Sequence, residues 1–405
     1  MSIDHVAEAL KDIDLDDADD WPKLSKVSPE WNALVQKTGG APSLSSFASI
    51  PHLRDFLAQT RARMAASRPA PTTTGAGGGV KKTSRTVPAR DGYAVPVLIY
   101  SPEQTAGGVD GDGGGGSPLA IIIHGGGYAV GAPEDEEPLC RLLCAELGFV
   151  VVSVGYRLAP EYRFPTAVWD CYDVTRWVSG FFPSFFFLCP GGSGGGGGRR
   201  VCVVDAVRCV RAVRDWIADA GENAAELHAT PALGFIVGGT SAGGTLSCVV
   251  GHLARDNGLS PPLTGLCLMV PSALKSALVC PAQYRSILVS REQNKDAPIL
   301  DERALQMFVD AYAPDPYSAL SSPFNWPTGH AHLPPTHFQI CGLDPLRDEA
   351  LLLERVMRRR DGVATRLDVY PGLPHAFWSL FPDLECSRRF VRDTVEGFRW
   401  LLAQV

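Results

Sequence analysis

The chain has 405 residues, of which 45% are hydrophobic and 20% charged, and it carries a formal net charge of −7. That acidic balance argues against nucleic acid or an anionic membrane surface as a partner, and the composition is that of an ordinary soluble globular protein. The length allows two or three average domains, or a single α/β domain with insertions.

The first residues, "MSIDHVAEALKDIDLDDADDW", are acidic and lack an apolar core, so they are not expected to act as a secretory leader. Ser28-Pro29-Glu30 predicts a helix start, with serine as N-cap and proline at the first helical position. A longer amphipathic helix follows in "IPHLRDFLAQTRARMAAS". "PAPTTTGAGGG" (69–79) breaks the pattern, and strands begin near Val80 with "YAVPVLIYSP" and "PLAIIIHGGG" as expected neighbours. Between them "GGVDGDGGGGS" (107–117) reads as a flexible loop tip.

From Leu119 onward strand-like runs alternate with helical ones. The strands are "LAIIIH", "FVVVSV", "LGFIVGG", "GLCLMVP", "THFQICG" and "TRLDVYP", with helices such as "EEPLCRLLCAEL" and "RDEALLLERVMRR" between them. Several strands are apolar throughout, as in a parallel sheet covered on both faces. The alternation predicts a doubly wound, mostly parallel α/β sheet with helices on both sides. The N-terminal helices and the span 271–335 stand outside it, and both are expected to fold over one edge of the sheet as a helical cap. The expected division is therefore 1–79 for cap helices and linker, and 80–405 for the α/β domain, with 271–335 contributing to the cap.

One stretch does not fit. "DCYDVTRWV" and "VRCVRAVRDWI" look like rival endings of one helix, and a phenylalanine run and a glycine tract lie between them. The segment 179–221 is read as an insertion, and as a gene-model artefact such as a retained intron rather than part of the working fold. Val178-Ser179 can be encoded by a splice-donor-like GTGAGT, whereas a genuine surface loop is the alternative. "FFPSFFFLC" within it is too short to span a membrane and is broken by Pro183, so no membrane span is expected. The eleven cysteines are scattered through apolar runs, which reads as buried thiols in a reducing, cytoplasmic setting. They show no metal-ligand spacing, and no metal or cofactor is expected.

The pattern Gly-x-Ser-x-Gly occurs twice, around Ser193 and around Ser241. A nucleophile on a strand-to-helix turn needs an apolar strand before it, glycines at both flanks and a helix after it. Ser241 has "LGFIVGG" before it, Gly239 and Gly243 beside it, and "GGTLSCVVGHLARD" after it. Ser193 has only glycine after it and reads as a linker residue. Upstream, His124-Gly125-Gly126-Gly127 ends a strand with exposed backbone whose amides could receive negative charge on a carbonyl oxygen. A tight turn needing positive φ would look the same in isolation.

A base and an acid are expected later in the chain, in the order Ser, Asp or Glu, His. "THFQICGLDPLRDE" puts Asp344 just beyond one strand, and "TRLDVYPGLPHAFW" puts His375 just beyond the next. Both fall at the carboxyl edge of the sheet, together with Ser241 and the glycines. Asp348 is a rival acid, better suited to the first turn of the following helix. His124 is a poor candidate for the base, because the glycine loop occupies its strand end. Trp31, Phe47, Phe308, Tyr312, Phe324 and Trp326 are offered as walls of an apolar pocket near Ser241, some of them belonging to the core.

"HGGGYAVG", "GYRLAPEYRFPTAVWD", "GGTSAGG", "CGLDPLRDEA" and "PGLPHAFW" together closely resemble the esterases related to hormone-sensitive lipase, the α/β-hydrolase fold-3 group. The resemblance runs from about Ser28 to the C-terminus, broken at 179–221. It implies an α/β-hydrolase sheet under a helical cap and hydrolysis of short- to medium-chain carboxylic esters without a cofactor. It also implies Ser241 as nucleophile, His375 as general base, Asp344 as its orienting acid, and oxyanion N–H groups from Gly126, Gly127 and Ala242. Arg157 and Glu161 would brace the loop near the glycines. Many members carry Asp where this chain has Thr240, which touches tuning rather than chemistry. The implied partner is a small-molecule ester, and a homodimer is compatible with this reading. Two other readings stay open: a non-catalytic receptor, since the similar plant gibberellin receptors have lost the triad histidine, and an amide hydrolase using the same residues.

Overall fold

Every residue of β3 (Leu119–Ile123) is buried, because the strand has helices on both of its faces. Leu119, Ile121 and Ile123 point into one apolar core and Ala120 and Ile122 into another, as the two-residue repeat of a strand requires. Each isoleucine so buried contributes roughly 1.5–3 kcal/mol over its exposed state. The computed structural model describes residues 5–67, 79–103, 116–180 and 227–405. Most of the glycine-rich stretch 107–117 lies outside the described residues. So does the segment 179–221, apart from Ser179 and Gly180.

The other strands are β1 (Val80–Pro88), β2 (Ala94–Pro102), β4 (Val150–Val154), β5 (Phe235–Thr240), β6 (Gly265–Met269), β7 (Thr336–Leu343) and β8 (Thr365–Pro374). They form a sheet in the order β1-β2-β4-β3-β5-β6-β7-β8. β1 and β2 are an antiparallel hairpin, β2 runs antiparallel to β4, and all remaining pairs are parallel. β1 is one of the two edge strands, and its exposed Lys81, Lys82 and Arg85 discourage pairing with another sheet.

Three helices open the chain: α1 (His5–Leu10), α2 (Pro29–Thr38) and α3 (Ile50–Ser67). α2 begins as its sequence predicts, with the Ser28 side chain accepting from the Trp31 N–H, and it ends on Gly39 at φ 81°. α4 (Glu137–Leu147) packs on one face of the sheet with the C-terminal helix α9 (Glu385–Leu402). α5 (Thr166–Ser179), α6 (Ala242–Asp256) and α8 (Arg347–Arg359) pack on the other. α5 includes Ser179 and closes on Gly180 at φ 71°, so the helix runs one residue beyond the expected boundary of the insertion. α7 (Glu302–Tyr312) lies in the span 271–335, capped by Asp301, whose carboxylate accepts from the Ala304 N–H at 2.7 Å. The same carboxylate accepts from the Ser45 hydroxyl at 2.6 Å, and the Leu44 N–H donates to the Ile299 carbonyl at 2.8 Å, so the N-terminal helices and this span are joined.

β3 has β4 on one side and β5 on the other, so chain direction across the sheet reverses there. A crevice opens at the carboxyl ends of strands at such a point. Those ends carry the glycines after β3 and Ser241 after β5. Among the described residues, no helix is long and apolar enough to cross a membrane, and the eight described cysteines are free and buried.

Candidate active site

Ser241 sits on the turn between β5 and α6 with φ 56° and ψ −115°, a conformation that L-residues seldom adopt. The flanking glycines permit it. A Cβ on Gly243 would stand 2.0 Å from the Ile123 carbonyl oxygen, and one on Gly239 would stand 2.4 Å from the same atom. The turn is pinned by the Ser241 N–H, which donates to the Met269 carbonyl at 2.8 Å, and by the first bond of α6, from Thr245 N–H to Ser241 carbonyl at 2.9 Å.

β7 and β8 bring Asp344 and His375 to Ser241. His375 follows β8, and its Nδ1 lies 2.6 Å from Asp344 Oδ2 while its Nε2 lies 2.9 Å from Ser241 Oγ. With the Nδ1–H given to the carboxylate, Nε2 is left to accept the serine proton. The other Asp344 oxygen accepts from the Leu346 N–H at 2.8 Å, and Asn294 Nδ2 donates to the Asp344 carbonyl at 3.0 Å. Asp348 takes no part in this relay. It lies in the first turn of α8 and accepts from the N–H groups of Val289 and Ser290 at 2.8 and 2.6 Å.

The glycine loop faces this relay. Gly126 and Gly127 have φ of 111° and 57°, and a Cβ on Gly127 would stand 2.3 Å from the Phe308 ring. Gly125 packs against the elbow, its Cβ position 3.5 Å from Ser241 Cβ. Ala242 opens α6, so its N–H has no acceptor within the helix. His124 is buried beneath the loop, stacked on Tyr156 at 4.2 Å with Nδ1 2.7 Å from the Gly125 carbonyl. Burial holds it below the usual imidazole range, which suits a brace rather than a base.

The two residues expected to brace the glycine loop have different partners. Glu161 holds Arg54 of α3 at 2.8 Å, and Arg54 in turn donates to the carbonyls of Ala129 and Ala159 at 2.7 and 2.6 Å. Arg157 instead binds Asp170 and Asp91, each at 2.7 Å.

Ser241, His375 and the glycines line a cavity of about 940 Å³. Of the six aromatic residues expected at its wall, Phe308 and Tyr312 line it. The other four are packing residues: Trp31 meets Phe381 at 5.3 Å, Phe47 meets Phe56 at 4.8 Å, Phe324 meets Tyr284 at 5.9 Å and Trp326 stacks on His252 at 4.5 Å. Charged groups unforeseen in the sequence also line it, among them Glu136, Lys275 and Arg291. Burial, offset in part by the Thr240 hydroxyl and the Gly125 N–H, pushes the Glu136 carboxyl up to about 7. An aspartate at 240 would bring a second carboxylate to that carboxyl, whereas threonine offers it a donor. Among the described residues no group of three or more His, Cys, Asp or Glu side chains is arranged to hold a metal ion.

Residues 120–196 and 202–379 match the alpha/beta hydrolase fold family. An AB hydrolase superfamily protein of Schizosaccharomyces pombe is 31% identical over 388 residues, covering 95% of this chain and 96% of its own. A versiconal hemiacetal acetate esterase of Dothistroma septosporum is 29% identical over 294 residues, covering 71% of this chain and 74% of its own. Among solved structures, a vibralactone cyclase superposes with a TM-score of 0.74 at 29% identity, covering 94% of this chain and 96% of that one. The chain belongs to the alpha/beta hydrolase fold-3 family, the carboxylic ester hydrolases related to hormone-sensitive lipase.

Proposed function

We propose that this enzyme is a serine carboxylesterase that hydrolyses short- to medium-chain carboxylic esters through Ser241, His375 and Asp344. The observation that carries the reading is the continuous relay of 2.6 and 2.9 Å from Asp344 through His375 to Ser241, on the wall of an accessible cavity. Ser241 Oγ attacks the ester carbonyl carbon while His375 Nε2 takes its proton. The carbonyl electron pair moves onto oxygen, where the N–H groups of Gly126, Gly127 and Ala242 receive the charge. Collapse breaks the bond to the alcohol oxygen, which leaves with the proton returned by His375. Water then repeats the sequence on the acyl-enzyme, releasing the acid and restoring the serine.

Residues 1–79 and 271–335 act in this reading as a cap over the catalytic domain, with Leu44 and Leu57 from the first and Leu305 and Phe308 from the second lining the cavity. A bounded, mostly apolar cavity supports a preference for short and medium acyl chains. The presence of His375 at hydrogen-bond distance from Ser241 favours an enzyme over a receptor of the same fold. The test is a panel of chromogenic esters of increasing acyl length, run beside Ser241→Ala. The expected result is a kcat/KM maximum at short or medium chains and no turnover by the variant. Turnover that rises steadily to long-chain triglycerides, or that survives the substitution, overturns the reading.

A further inference from the structure

Lys275 follows β6 at the end of a buried turn and lines the same cavity as Ser241. Its ammonium donates to the Tyr128 hydroxyl at 3.1 Å and to the Ser272 hydroxyl at 3.3 Å, and it sits 4.8 Å from the Tyr128 ring centre. All of these partners are neutral. No carboxylate among the described residues forms an ion pair with it. Tyr128 directly follows Gly127 and is itself fixed, stacked on Tyr312 at 4.0 Å. The cation is therefore held in place beside the loop that would receive the oxyanion.

Arg291 lines the cavity as well. It donates to the Leu274 carbonyl at 3.0 Å and pairs with Glu349 at 3.2 Å. Glu349 lies outside the lining of this cavity, and it also accepts from the Ala273 N–H at 3.2 Å. Arg291 also feels the carboxylates of Glu302 and Asp344, so Lys275 is the cation here with neutral hydrogen-bond partners, and the neighbouring lining is apolar: Leu300, Leu305, Phe308 and Leu346. The cavity's acidic side chains lie on the segment 134–137, where Asp135 is paired with Arg61 at 3.0 Å and Glu137 with Lys82 at 2.6 Å. A half-buried ammonium with only neutral partners gains most from an anion that it can hydrogen-bond.

We propose that Lys275, supported by Arg291, forms an anion subsite of the cavity, so that the favoured substrates are esters carrying a second, ionised carboxylate. The proposal rests on the esterase reading above for its turnover consequences, and on binding alone for its existence. Half-esters of dicarboxylic acids, or esters of hydroxy acids, are the class that fits.

Two pairs of esters differing only in charge test it with the full chain: monomethyl hexanedioate against methyl hexanoate, and 4-acetoxybutanoate against butyl acetate. At about pH 8 both acids are fully ionised. In at least one pair the charged member is expected to have a kcat/KM about tenfold or more higher, the scale of one charge-assisted hydrogen bond. Lys275→Met is expected to erase that ratio, Lys275→Arg to keep most of it, and salt at about 0.5 M to narrow it. Neutral members preferred in both pairs, or a ratio indifferent to Lys275→Met, overturns the proposal. A lysine that merely props the glycine loop would slow both members alike and leave the ratio unchanged. Calorimetric binding of monomethyl hexanedioate to Ser241→Ala, with and without Lys275→Met, reads the subsite independently of turnover. Binding lost with Lys275 supports it, and equal binding by the two chains overturns it. Ester turnover that persists in Ser241→Ala overturns the esterase reading and leaves that binding result standing.

Discussion

His252, a buried residue of α6, has its Nε2 2.9 Å from His330 Nδ1. His252 Nδ1 is 2.8 Å from the Cys248 carbonyl and must donate to it, which makes Nε2 an acceptor and Nδ1 of His330 the donor. His330 Nε2 is then a buried acceptor without a partner among the described residues. Burial pushes both rings down, to about 3 for His252 and about 4 for His330.

The pair ties stability to pH. Both folded-state values lie below the unfolded value of about 6.5, so the unfolded chain binds protons that the folded chain refuses. The stabilisation is complete above about 6.5 and is lost as pH falls towards the folded values. Denaturant midpoints should fall between pH 7 and 5, and His252→Gln should fall less steeply than the parent. Parallel slopes for the two chains would show that the pair plays no part.

Asp344 fixes the tautomer of His375 through the 2.6 Å contact. Asp344→Asn presents an amide that can donate, so Nδ1 becomes the acceptor and Nε2 carries the proton in the wrong place. A loss of about 10⁴ in kcat is expected, with KM little changed. Ser241→Ala and His375→Ala should each abolish ester turnover, and combining them should cost no more than either alone. Additive losses would mean that the residues do not act as one unit.

Two glycines with different surroundings should respond differently to alanine. At Gly243 the new methyl would meet the Ile123 carbonyl at 2.0 Å, forcing β3 and the start of α6 apart. Gly148, the C-cap of α4 at φ 69°, has open space around its Cβ position. Gly148→Ala should cost about 1 kcal/mol, the price of the left-handed backbone. Gly243→Ala should cost about 1–3 kcal/mol or more and also lower activity, because it moves the elbow. Thermal unfolding and turnover measured on both variants check the contrast.

Glu136 predicts a pH effect of opposite sign to that of the histidines. Its carboxyl is raised to about 7, so the folded chain holds a proton that the unfolded chain releases near its ordinary value of 4.5. Its contribution to stability therefore falls as pH rises between those values. Glu136→Gln, which cannot ionise, should gain in melting temperature relative to the parent as pH rises to about 7 and show no gain below about 4.5. A constant difference across that range would remove ionisation as the cause.

The strands, the elbow and the order of Ser241, Asp344 and His375 were legible because each leaves a local mark. Uniformly apolar runs mark strands buried on both faces, and glycines at minus two and plus two mark a close backbone approach. The cavity wall was far less legible. An aromatic side chain announces burial but not which burial, and so Trp326 went to His252 while Phe308 went to the cavity. Lys275 and Arg54 carry no local signal, since each has a partner far away in the chain, 147 residues off at Tyr128 and 107 residues off at Glu161. Thr240 was seen as a departure from the related esterases, but its neighbour Glu136 lies a hundred residues earlier and becomes visible only when β3 and β5 are paired.

The docking of residues 18–28 against β7 and β8 has a consequence for synthesis. A Cβ on Gly342 would stand 2.2 Å from the Leu24 carbonyl oxygen and one on Gly372 would stand 2.1 Å from that of Lys26, while the Ser28 N–H donates to the Gly372 carbonyl at 3.2 Å. The strand ends that present Asp344 and His375 are thus backed by a segment that leaves the ribosome more than three hundred residues before them. That segment, with buried Trp21 and Leu24, has no surface to dock on until almost the whole chain has emerged. Early residues must wait for late ones, and a nascent chain stalled before β8 exposes apolar side chains at its start with no relay at its end.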